Sequence, residues 1–296
     1  NNSVVYTEKP DGETFLREWT SLVESKSGER GIFNRLSAKE QAKKFGRRDA
    51  DHEFGCNPCS EIILRPYQFC NLTEVVIREK DKFEDLKRKV MLATILGTAQ
   101  STLTKFPYLR KIWNKNTEEE RLLGVSLTGI MDNELTNGRK HGLEKTLTAL
   151  REIAVETNKE WSAIFGIPQS TAITCVKPSG TVSQLVDSSS GIHPRHSSYY
   201  IRTVRGDNKD PLTNFMIDSG IPNEADFMKP DTQTVFSFPM KSPKKSVVRN
   251  DMTAIQQLEM WLLYQRHWCE HKPSVTISVR DDEWMEVGAF VFKHFD

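Results

Sequence analysis

The segment CNPCSEIIL, residues 56–64, with Cys70-Asn71-Leu72 shortly after it, is the stretch on which the predicted fold and function depend most. It groups three of the five cysteines and ends in an apolar run typical of a buried strand. Three interpretations fit these residue types: a zinc site, a redox dithiol, and a catalytic unit of Asn57, Cys59 and Glu61.

The CxxC spacing of Cys56 and Cys59 is found in both metal sites and redox pairs. A structural zinc site needs four protein ligands, and Cys70 would be only the third, because the sequence has no second CxxC pair. A zinc-binding module around Cys56, Cys59 and Cys70 is therefore an alternative with an incomplete ligand set, and we predict no metal site. A thioredoxin-like dithiol lies at a strand-to-helix turn, whereas this pair precedes a strand-like run.

The third interpretation treats Asn57, Cys59 and Glu61 as one unit. In an extended chain, residues two apart project to the same side, so these three side chains would face one small substrate. An amide can hold hydroxyl groups, a carboxylate can accept a proton, and a thiol can give up a hydrogen atom or attack. A buried cysteine beside an exposed glutamate is the simpler structural explanation of such a triplet.

A second informative stretch is KPSGTVS, residues 177–183. A β-rich run over 171–176 precedes it, and Val182 lies in a short predicted helix. Free backbone N–H groups at a helix start, together with Ser and Thr hydroxyls, can bind an anion. The P-loop pattern is absent, and an ordinary turn with a capped helix explains this stretch at least as well.

Helical and β-rich segments alternate along the chain. Helices are predicted over 83–103, from the cap residues Asn116-Thr117 onwards, over 143–165 with a stop at Gly166, and over 253–271. β-rich runs cover 171–176, 234–238 and 274–279, and long loops are expected at 187–198 and 239–250. This alternation predicts an α/β fold with a mainly parallel sheet or barrel.

Composition limits the classes of function. The chain has 296 residues with 41 Lys+Arg and 40 Asp+Glu, and its net charge of +1 gives no sign of a basic face for nucleic acid. No stretch reaches the ~20 consecutive apolar residues of a membrane span. An odd number of cysteines without a signal-peptide pattern favours the cytoplasm over a disulfide-stapled secreted protein. Because the sequence does not start with Met, we expect a fragment of a longer protein.

The motif NPCSE at 57–61 with CNL at 70–72 resembles the catalytic segment of the ribonucleotide reductase large chain. The short gap between Cys59 and Cys70 is similar to that of the adenosylcobalamin-dependent, or class II, members. The resemblance covers most of the chain, from 1–4 and 28–34 to 273–277. A class I large chain, whose radical comes from a separate subunit, is the alternative within the family.

The resemblance implies a role for each matched residue. Cys59 matches the cysteine that becomes a thiyl radical and removes the ribose 3′ hydrogen. Glu61 matches the base that takes the 3′-hydroxyl proton, and Asn57 matches the residue that holds the hydroxyls. Cys70 matches one half of a redox-active disulfide whose partner lies outside this chain, and Cys56 matches no family role. The implied substrate-binding residues are Asn57, Pro58, Cys59, Ser60 and Glu61, with Pro178, Ser179, Gly180, Thr181 and Val182 in a substrate-phosphate loop.

The implied fold is part of a ten-stranded α/β barrel with a catalytic finger loop, in which residues 1–296 form a single catalytic barrel domain, incomplete at both ends. The implied reaction is the reduction of ribonucleotides to 2′-deoxyribonucleotides for DNA synthesis, with adenosylcobalamin as cofactor. Implied partners are the ribonucleotide substrate, a thioredoxin-like or other dithiol reductant and nucleotide effectors, but no nucleic acid or membrane. The stretch 191–196, with Arg202 and Arg205, also resembles class II chains, and an exposed loop is a better prediction there than a metal site.

Overall fold

The computed structural model of the protein describes residues 2–26 and 30–296, so Asn1, Gly28 and Glu29, which carry part of the family resemblance, lie outside the described residues. The strands in this part of the chain are β1 (Asn2–Tyr6), β2 (Arg30–Asn34), β3 (Gly55–Cys56), β4 (Ile63–Leu64), β5 (Asn71–Val76), β6 (Leu123–Thr128), β7 (Thr174–Cys175), β8 (Tyr199–Asp207), β9 (Asn223–Ala225) and β10 (Gln233–Lys241). The helices are α1 (Gly12–Ser25), α2 (Arg35–Lys44), α3 (Phe83–Gln100), α4 (Lys111–Glu120), α5 (Leu143–Phe165), α6 (Thr181–Leu185), α7 (Pro211–Asp218), α8 (Ala254–His267) and α9 (Trp284–Lys293). Among the described residues, no helix is long and apolar enough to cross a membrane.

A parallel sheet in the order β5-β6-β7 forms the centre of the fold. All six residues of β6 are buried, as expected for a strand covered on both faces. Helices α3 and α5 pack together, with α3 against β5 and β6 and α5 against α8. The main core lies between these elements, where Leu86, Leu127 and Leu147 are fully buried.

The long central helix has the boundaries that its sequence predicts. Leu143, Leu147, Leu150 and Ala154 recur on one face of α5 and are buried. The helix ends at Gly166, whose φ of 66° is the left-handed conformation that glycine adopts easily. The predicted first helix corresponds to α3, and the predicted fourth helix corresponds to α8, which Thr253 caps through its side chain.

A second, antiparallel sheet has the order β8-β10-β9. It contains the predicted β-rich run 234–238, but β10 continues to Lys241, three residues into the stretch expected to be a loop. The prediction of a mainly parallel sheet is therefore correct for β5–β7 and wrong for this sheet, which sequence alternation alone did not distinguish.

The predicted helix start at Asn116-Thr117 is wrong, because both residues lie inside α4 and are buried. Tertiary contacts explain the difference. The Asn116 side chain accepts a hydrogen bond from Arg65 Nη2 at 2.9 Å and donates to the Pro66 carbonyl at 2.8 Å, so it is not available as a cap.

Two predicted β runs are shorter than expected. Only Thr174 and Cys175 of the run 171–176 form a strand, and 274–279 forms none, although Pro273 makes an isolated parallel bridge with Val176. Side chains satisfy part of this backbone. For example, Glu270 Oε2 accepts from Ile173 N at 2.9 Å, and His193 Nε2 accepts from Thr276 N at 2.9 Å.

The two ends of the described chain pack together. Phe15 and Trp19 of α1 are buried with Val287 of α9 and with Phe295. The Asn34 side chain, at the end of β2, donates to the Phe295 carbonyl at 2.7 Å. Helix α2 follows at once and leads to the hairpin β3-β4, so this packing fixes the segment that precedes the cysteine motif.

Gly129 closes β6 at a position that no other residue can occupy without strain. Its φ is 78°, and an added Cβ would lie 2.3 Å from the Ile77 carbonyl oxygen. Gly166 has a similar φ of 66°, but a Cβ there would meet nothing within 4 Å. A substitution at Gly166 therefore adds only left-handed backbone strain, whereas one at Gly129 adds a steric clash as well.

We expect Gly166→Ala to lower the free energy of unfolding by about 1–2 kcal/mol, the cost of left-handed strain alone. Gly129→Ala should lower it by clearly more, because the Ile77 backbone must also move. Urea unfolding of the full-length protein, followed by tryptophan fluorescence, measures both values. Equal losses in the two variants would contradict the close approach at Gly129.

Candidate active site

The cysteine motif forms a tight turn between β3 and β4. These strands pair antiparallel, Gly55 with Leu64 and Cys56 with Ile63. Within the turn, Ser60 N donates to the Asn57 carbonyl at 2.9 Å, and Ser60 has a left-handed φ of 65°. The extended geometry expected for Asn57, Cys59 and Glu61 is therefore wrong, because the chain reverses direction between them.

The two reactive side chains of the turn differ in their exposure to solvent. Cys59 is exposed in the turn, whereas Glu61 is 0% exposed. Neither carboxylate oxygen of Glu61 has a hydrogen-bond partner within the described part of the chain. Burying a carboxylate without a partner is costly, so such a group points to a ligand or a proton-transfer role.

Asn57 uses one end of its side chain to hold the turn. Its Oδ1 accepts from Ile62 N at 3.0 Å, and its backbone N–H donates to the Ile62 carbonyl at 3.3 Å. The amide Nδ2 makes no hydrogen bond to any described residue, so it can donate to a ligand.

Two thiols lie in the same low-dielectric region as Glu61. Burial raises the pKa of the Cys70 thiol, and the Glu61 carboxylate raises it further. Burial also raises the pKa of Cys175, with smaller contributions from Cys70 and Glu61. Both cysteines therefore remain thiols at neutral pH, the form that can donate hydrogen.

Gly124 allows Ile62, Leu72 and Cys175 to come close to the backbone of β6. A Cβ on this β6 residue would lie 2.4 Å from Leu72 Cδ2, 3.0 Å from Ile62 Cδ1 and 3.3 Å from Cys175 Sγ. The turn, β5 and β7 thus meet over one glycine. Sequence reasoning missed Cys175, because a single cysteine in a β run gives no signal of this meeting.

A buried ion pair anchors the turn to the end of α4. Arg48 Nε and Nη2 donate to the two carboxylate oxygens of Glu120 at 3.0 and 2.9 Å, and Arg48 Nη1 donates to the Ile63 carbonyl at 2.9 Å. Gln68 completes the cluster by donating to Glu120. None of these polar residues was singled out from the sequence.

The second predicted segment forms the short helix α6. Ser179 is buried, and its Oγ accepts from Ser183 N at 2.9 Å. The backbone N–H groups of Gly180, Thr181 and Val182 donate to no described residue. The local geometry therefore has the free donors that the sequence predicts.

A polar cavity of about 300 Å³ lies beside this segment. Arg195, the arginine of the predicted loop 191–196, lines this cavity and forms a buried ion pair with Asp132 at 2.9 Å. Arg202 also lines the cavity, and its buried Nε has no described partner. Arg205 instead pairs with Asp226 at 2.5 Å.

The described residues contain no group of three or more His, Cys, Asp or Glu side chains placed to hold a metal ion. Cys56 Sγ lies 3.7 Å from Ser60 Oγ, and His193 is occupied by the Ser190 carbonyl and Thr276 N. These contacts give the zinc-binding alternative no support.

Comparisons with known proteins agree on one family. No family model matches the chain. The adenosylcobalamin-dependent ribonucleoside-triphosphate reductase of Euglena gracilis is 30% identical over 224 residues, which are 76% of this chain and 30% of that protein. The enzyme of the same name from Lactobacillus gasseri is 28% identical over 307 aligned positions, covering 90% of this chain and 40% of that protein.

Solved structures show the same relationship. A B12-dependent (class II) ribonucleotide reductase superposes with a TM-score of 0.82 at 25% identity and covers 99% of this chain and 44% of that chain. The class Id alpha subunit of Actinobacillus ureae shares the fold, with a TM-score of 0.59 at 14% identity over 96% of this chain and 60% of that chain.

These similarities confirm the predicted fold class, an α/β barrel of the ribonucleotide reductase type. The chain spans only 30–40% of the length of the curated relatives named above. The motif at 57–61, the parallel sheet and the superposition lead to one conclusion. The chain belongs to the ribonucleotide reductase family and corresponds to part of the large chain of its class II type.

Proposed function

We propose that this chain carries the catalytic turn of an enzyme that reduces ribonucleotides to 2′-deoxyribonucleotides by thiyl-radical chemistry. The observation that carries the proposal is Glu61, a fully buried carboxylate without a described hydrogen-bond partner, two residues after the exposed thiol of Cys59. A thiol and an unpaired base so close in the chain suit hydrogen-atom removal coupled to proton transfer. The names of the relatives support a ribonucleoside triphosphate as the substrate.

Each residue of the turn then has one task. The Cys59 thiyl radical removes the 3′ hydrogen atom, while Glu61 accepts the 3′-hydroxyl proton. The 2′-hydroxyl leaves as water, and Cys70 with a second thiol supplies two electrons and two protons as the pair becomes a disulfide. Cys59 then returns its hydrogen atom to the 3′ carbon and Glu61 returns its proton to the 3′ oxygen, so the net reaction converts a ribonucleotide and a dithiol into a deoxyribonucleotide, a disulfide and water.

The substrate phosphates have a candidate site at 178–182. The free N–H groups of Gly180, Thr181 and Val182 can donate to phosphate oxygens, and the cationic wall of the neighbouring cavity favours negative charge. Because α6 has only five residues, we assign this role to individual donors and to the resemblance of the segment, not to a helix dipole.

Adenosylcobalamin is the proposed cofactor, and when bound it supplies the radical character that the reaction needs. The chain fits this requirement at one point: Cys59 is exposed in its turn, so a hydrogen atom can be taken from its sulfur from outside the chain.

The proposal extends to partners and context. A thioredoxin-like or other dithiol reductant would reduce the disulfide of Cys70 back to two thiols, and nucleotide effectors would act on the whole enzyme. All five cysteines carry free thiols, which supports a reducing compartment such as the cytoplasm. We also propose that residues 1–296 belong to a single catalytic barrel domain.

Cys59→Ser in the full-length protein should abolish deoxyribonucleotide formation, because a serine hydroxyl does not form the required radical. Ribonucleotide affinity should stay within a few-fold of the parent value. Product formation and equilibrium binding of a radiolabelled ribonucleotide measure the two effects. Cys56→Ser is the matched control and should remain active, since the hydrogen bond described for the Cys56 thiol is to Ser60 Oγ, which a serine hydroxyl can also make. Parental turnover in Cys59→Ser would remove this residue from the radical role.

Glu61→Gln keeps the size of the side chain but removes its ability to accept a proton. We expect turnover to fall by about 10²–10⁴-fold, the usual contribution of general acid-base catalysis, with little change in substrate affinity. Single-turnover product formation at saturating substrate measures the loss. A variant that turns over at the parental rate would exclude Glu61 as the base.

The cofactor assignment has its own test. Turnover of the full-length protein should require added adenosylcobalamin and no second protein subunit. Dependence on a separate metal-containing subunit would support the class I alternative instead. Stoichiometric zinc in the purified protein, lost in Cys70→Ser, would support the zinc-binding module.

A further inference from the structure

The return arm of the turn, residues 61–63, is held at every backbone polar group from the Glu61 carbonyl to the Ile63 carbonyl. Lys272 N donates to the Glu61 carbonyl at 3.0 Å, and Asn57 holds both polar groups of Ile62. The Ile63 carbonyl accepts from Arg48 Nη1 at 2.9 Å. Ile63 N donates to His271 Nδ1 at 3.3 Å. The backbone that carries Glu61 is therefore fixed by groups distant in sequence.

His271 is the member of this set that joins the arm to the central sheet. The imidazole is 0% exposed, and its second nitrogen, Nε2, lies 3.0 Å from the Leu123 carbonyl in β6. Because the Ile63 N–H donates to Nδ1, the ring must carry its proton on Nε2. A protonated ring would place two donors against each other at Ile63.

Two charge effects keep this ring neutral. Burial lowers the pKa of His271 to about 3, and the nearby Arg48 guanidinium adds to the effect. The neutral tautomer with Nε2–H is therefore present throughout the physiological pH range, and it satisfies Ile63 and Leu123 at the same time.

The segment 268–273 makes His271 a fixed point. Trp268 Nε1 donates to the Cys175 carbonyl at 2.7 Å, and the backbone N–H groups of Glu270 and His271 both donate to the Thr174 carbonyl at 3.0 Å. Trp261 Nε1 closes the other end by donating to the Pro273 carbonyl at 2.7 Å. The backbone of His271 is thus fixed on β7, while its imidazole contacts both β6 and the return arm.

We propose that His271 is a positioning residue that fixes the return arm of the turn and, through Ile63, the placement of Glu61 for proton transfer. The inference rests on the proposed function, in which Glu61 is the base. Nothing in this role brings His271 into contact with substrate. A base displaced by about 1 Å can lose about 10²-fold in rate, so a lost contact to Ile63 should reduce turnover without reducing substrate affinity.

Two substitutions at His271 test its two hydrogen bonds separately. In His271→Asn, the amide lies where Nδ1 was and can still accept from Ile63 N. In His271→Gln, the longer amide can reach the Leu123 carbonyl but leaves Ile63 N without an acceptor. His267→Gln is the matched control, since His267 ends α8 and contacts Thr148 Oγ1 instead of the turn.

We expect His271→Gln in the full-length, cofactor-loaded enzyme to lower kcat by about 10–100-fold at unchanged ribonucleotide Kd. His271→Asn should retain most of kcat, and His267→Gln should match the parent. Hydrogen exchange read by mass spectrometry should show faster exchange at the Ile63 amide in His271→Gln than in His271→Asn. Equal kcat losses in the two His271 variants, or a loss of affinity that matches the loss of kcat, would overturn the proposal.

A measurement on the unsubstituted protein keeps the inference testable if His271→Gln does not fold. Nitrogen-15 NMR of histidine-labelled protein should show one neutral ring with Nε2–H from pH 5 to pH 8. A protonated ring or an Nδ1–H tautomer at His271 would overturn the proposal. An unsubstituted enzyme without reductase activity would refute the proposed function, whereas unequal Ile63 exchange in the variants would still establish the contact itself.

Discussion

The buried ion pair between Arg48 and Glu120 is the constraint on which the arrangement of the site depends. Both charges lie in the interior, where an unpaired partner would cost several kcal/mol, so the pair cannot open without loss of stability. Since Arg48 also donates to the Ile63 carbonyl, the stability of the interior is coupled to the position of the turn. Glu120 ends α4, and its carbonyl accepts from Thr171 N, so the same residue fixes the approach to β7.

This anchoring explains how a chain reversal can hold one reactive group exposed and another buried. A free turn with a left-handed Ser60 would sample many conformations, and its glutamate would move to solvent. Here every backbone polar group from the Glu61 carbonyl to the Ile63 carbonyl is engaged, whereas the Glu61 carboxylate has no described hydrogen-bond partner. The desolvation cost of that carboxylate is offset by the surrounding fold, as expected for a site preorganised for a ligand.

The parts of the fold that were predictable from sequence are those set by local rules. The apolar spacing and the stop at Gly166 define α5, and the cap at Thr253 defines the start of α8. The helix start predicted at Asn116 was wrong because this side chain contacts Arg65 and Pro66, which no local rule anticipates. In the site, the residue types of the turn indicated its chemistry, but the reversal of the chain within it could not be predicted from them. His271 was not singled out from the sequence, because its partners Ile63 and Leu123 are distant in the chain and no local pattern indicates these contacts.

The hydrogen bond that Asn57 makes within the turn determines whether its free group donates to or accepts from the proposed substrate. Its Oδ1 already accepts from Ile62 N, whereas Nδ2 donates to no described residue, so Nδ2 is the group with its full capacity left for a ligand, and it can donate but not accept. An ionised Glu61 can accept but not donate. A ribose with two neighbouring hydroxyls matches this pair, because each hydroxyl can donate to one group while its oxygen accepts from the other. A ligand with only acceptors, such as a bare phosphate, would leave Glu61 unsatisfied, and a ligand with only donors would leave Asn57 Nδ2 unused. The hydrogen bond that builds the turn therefore also restricts which ligand the turn can bind.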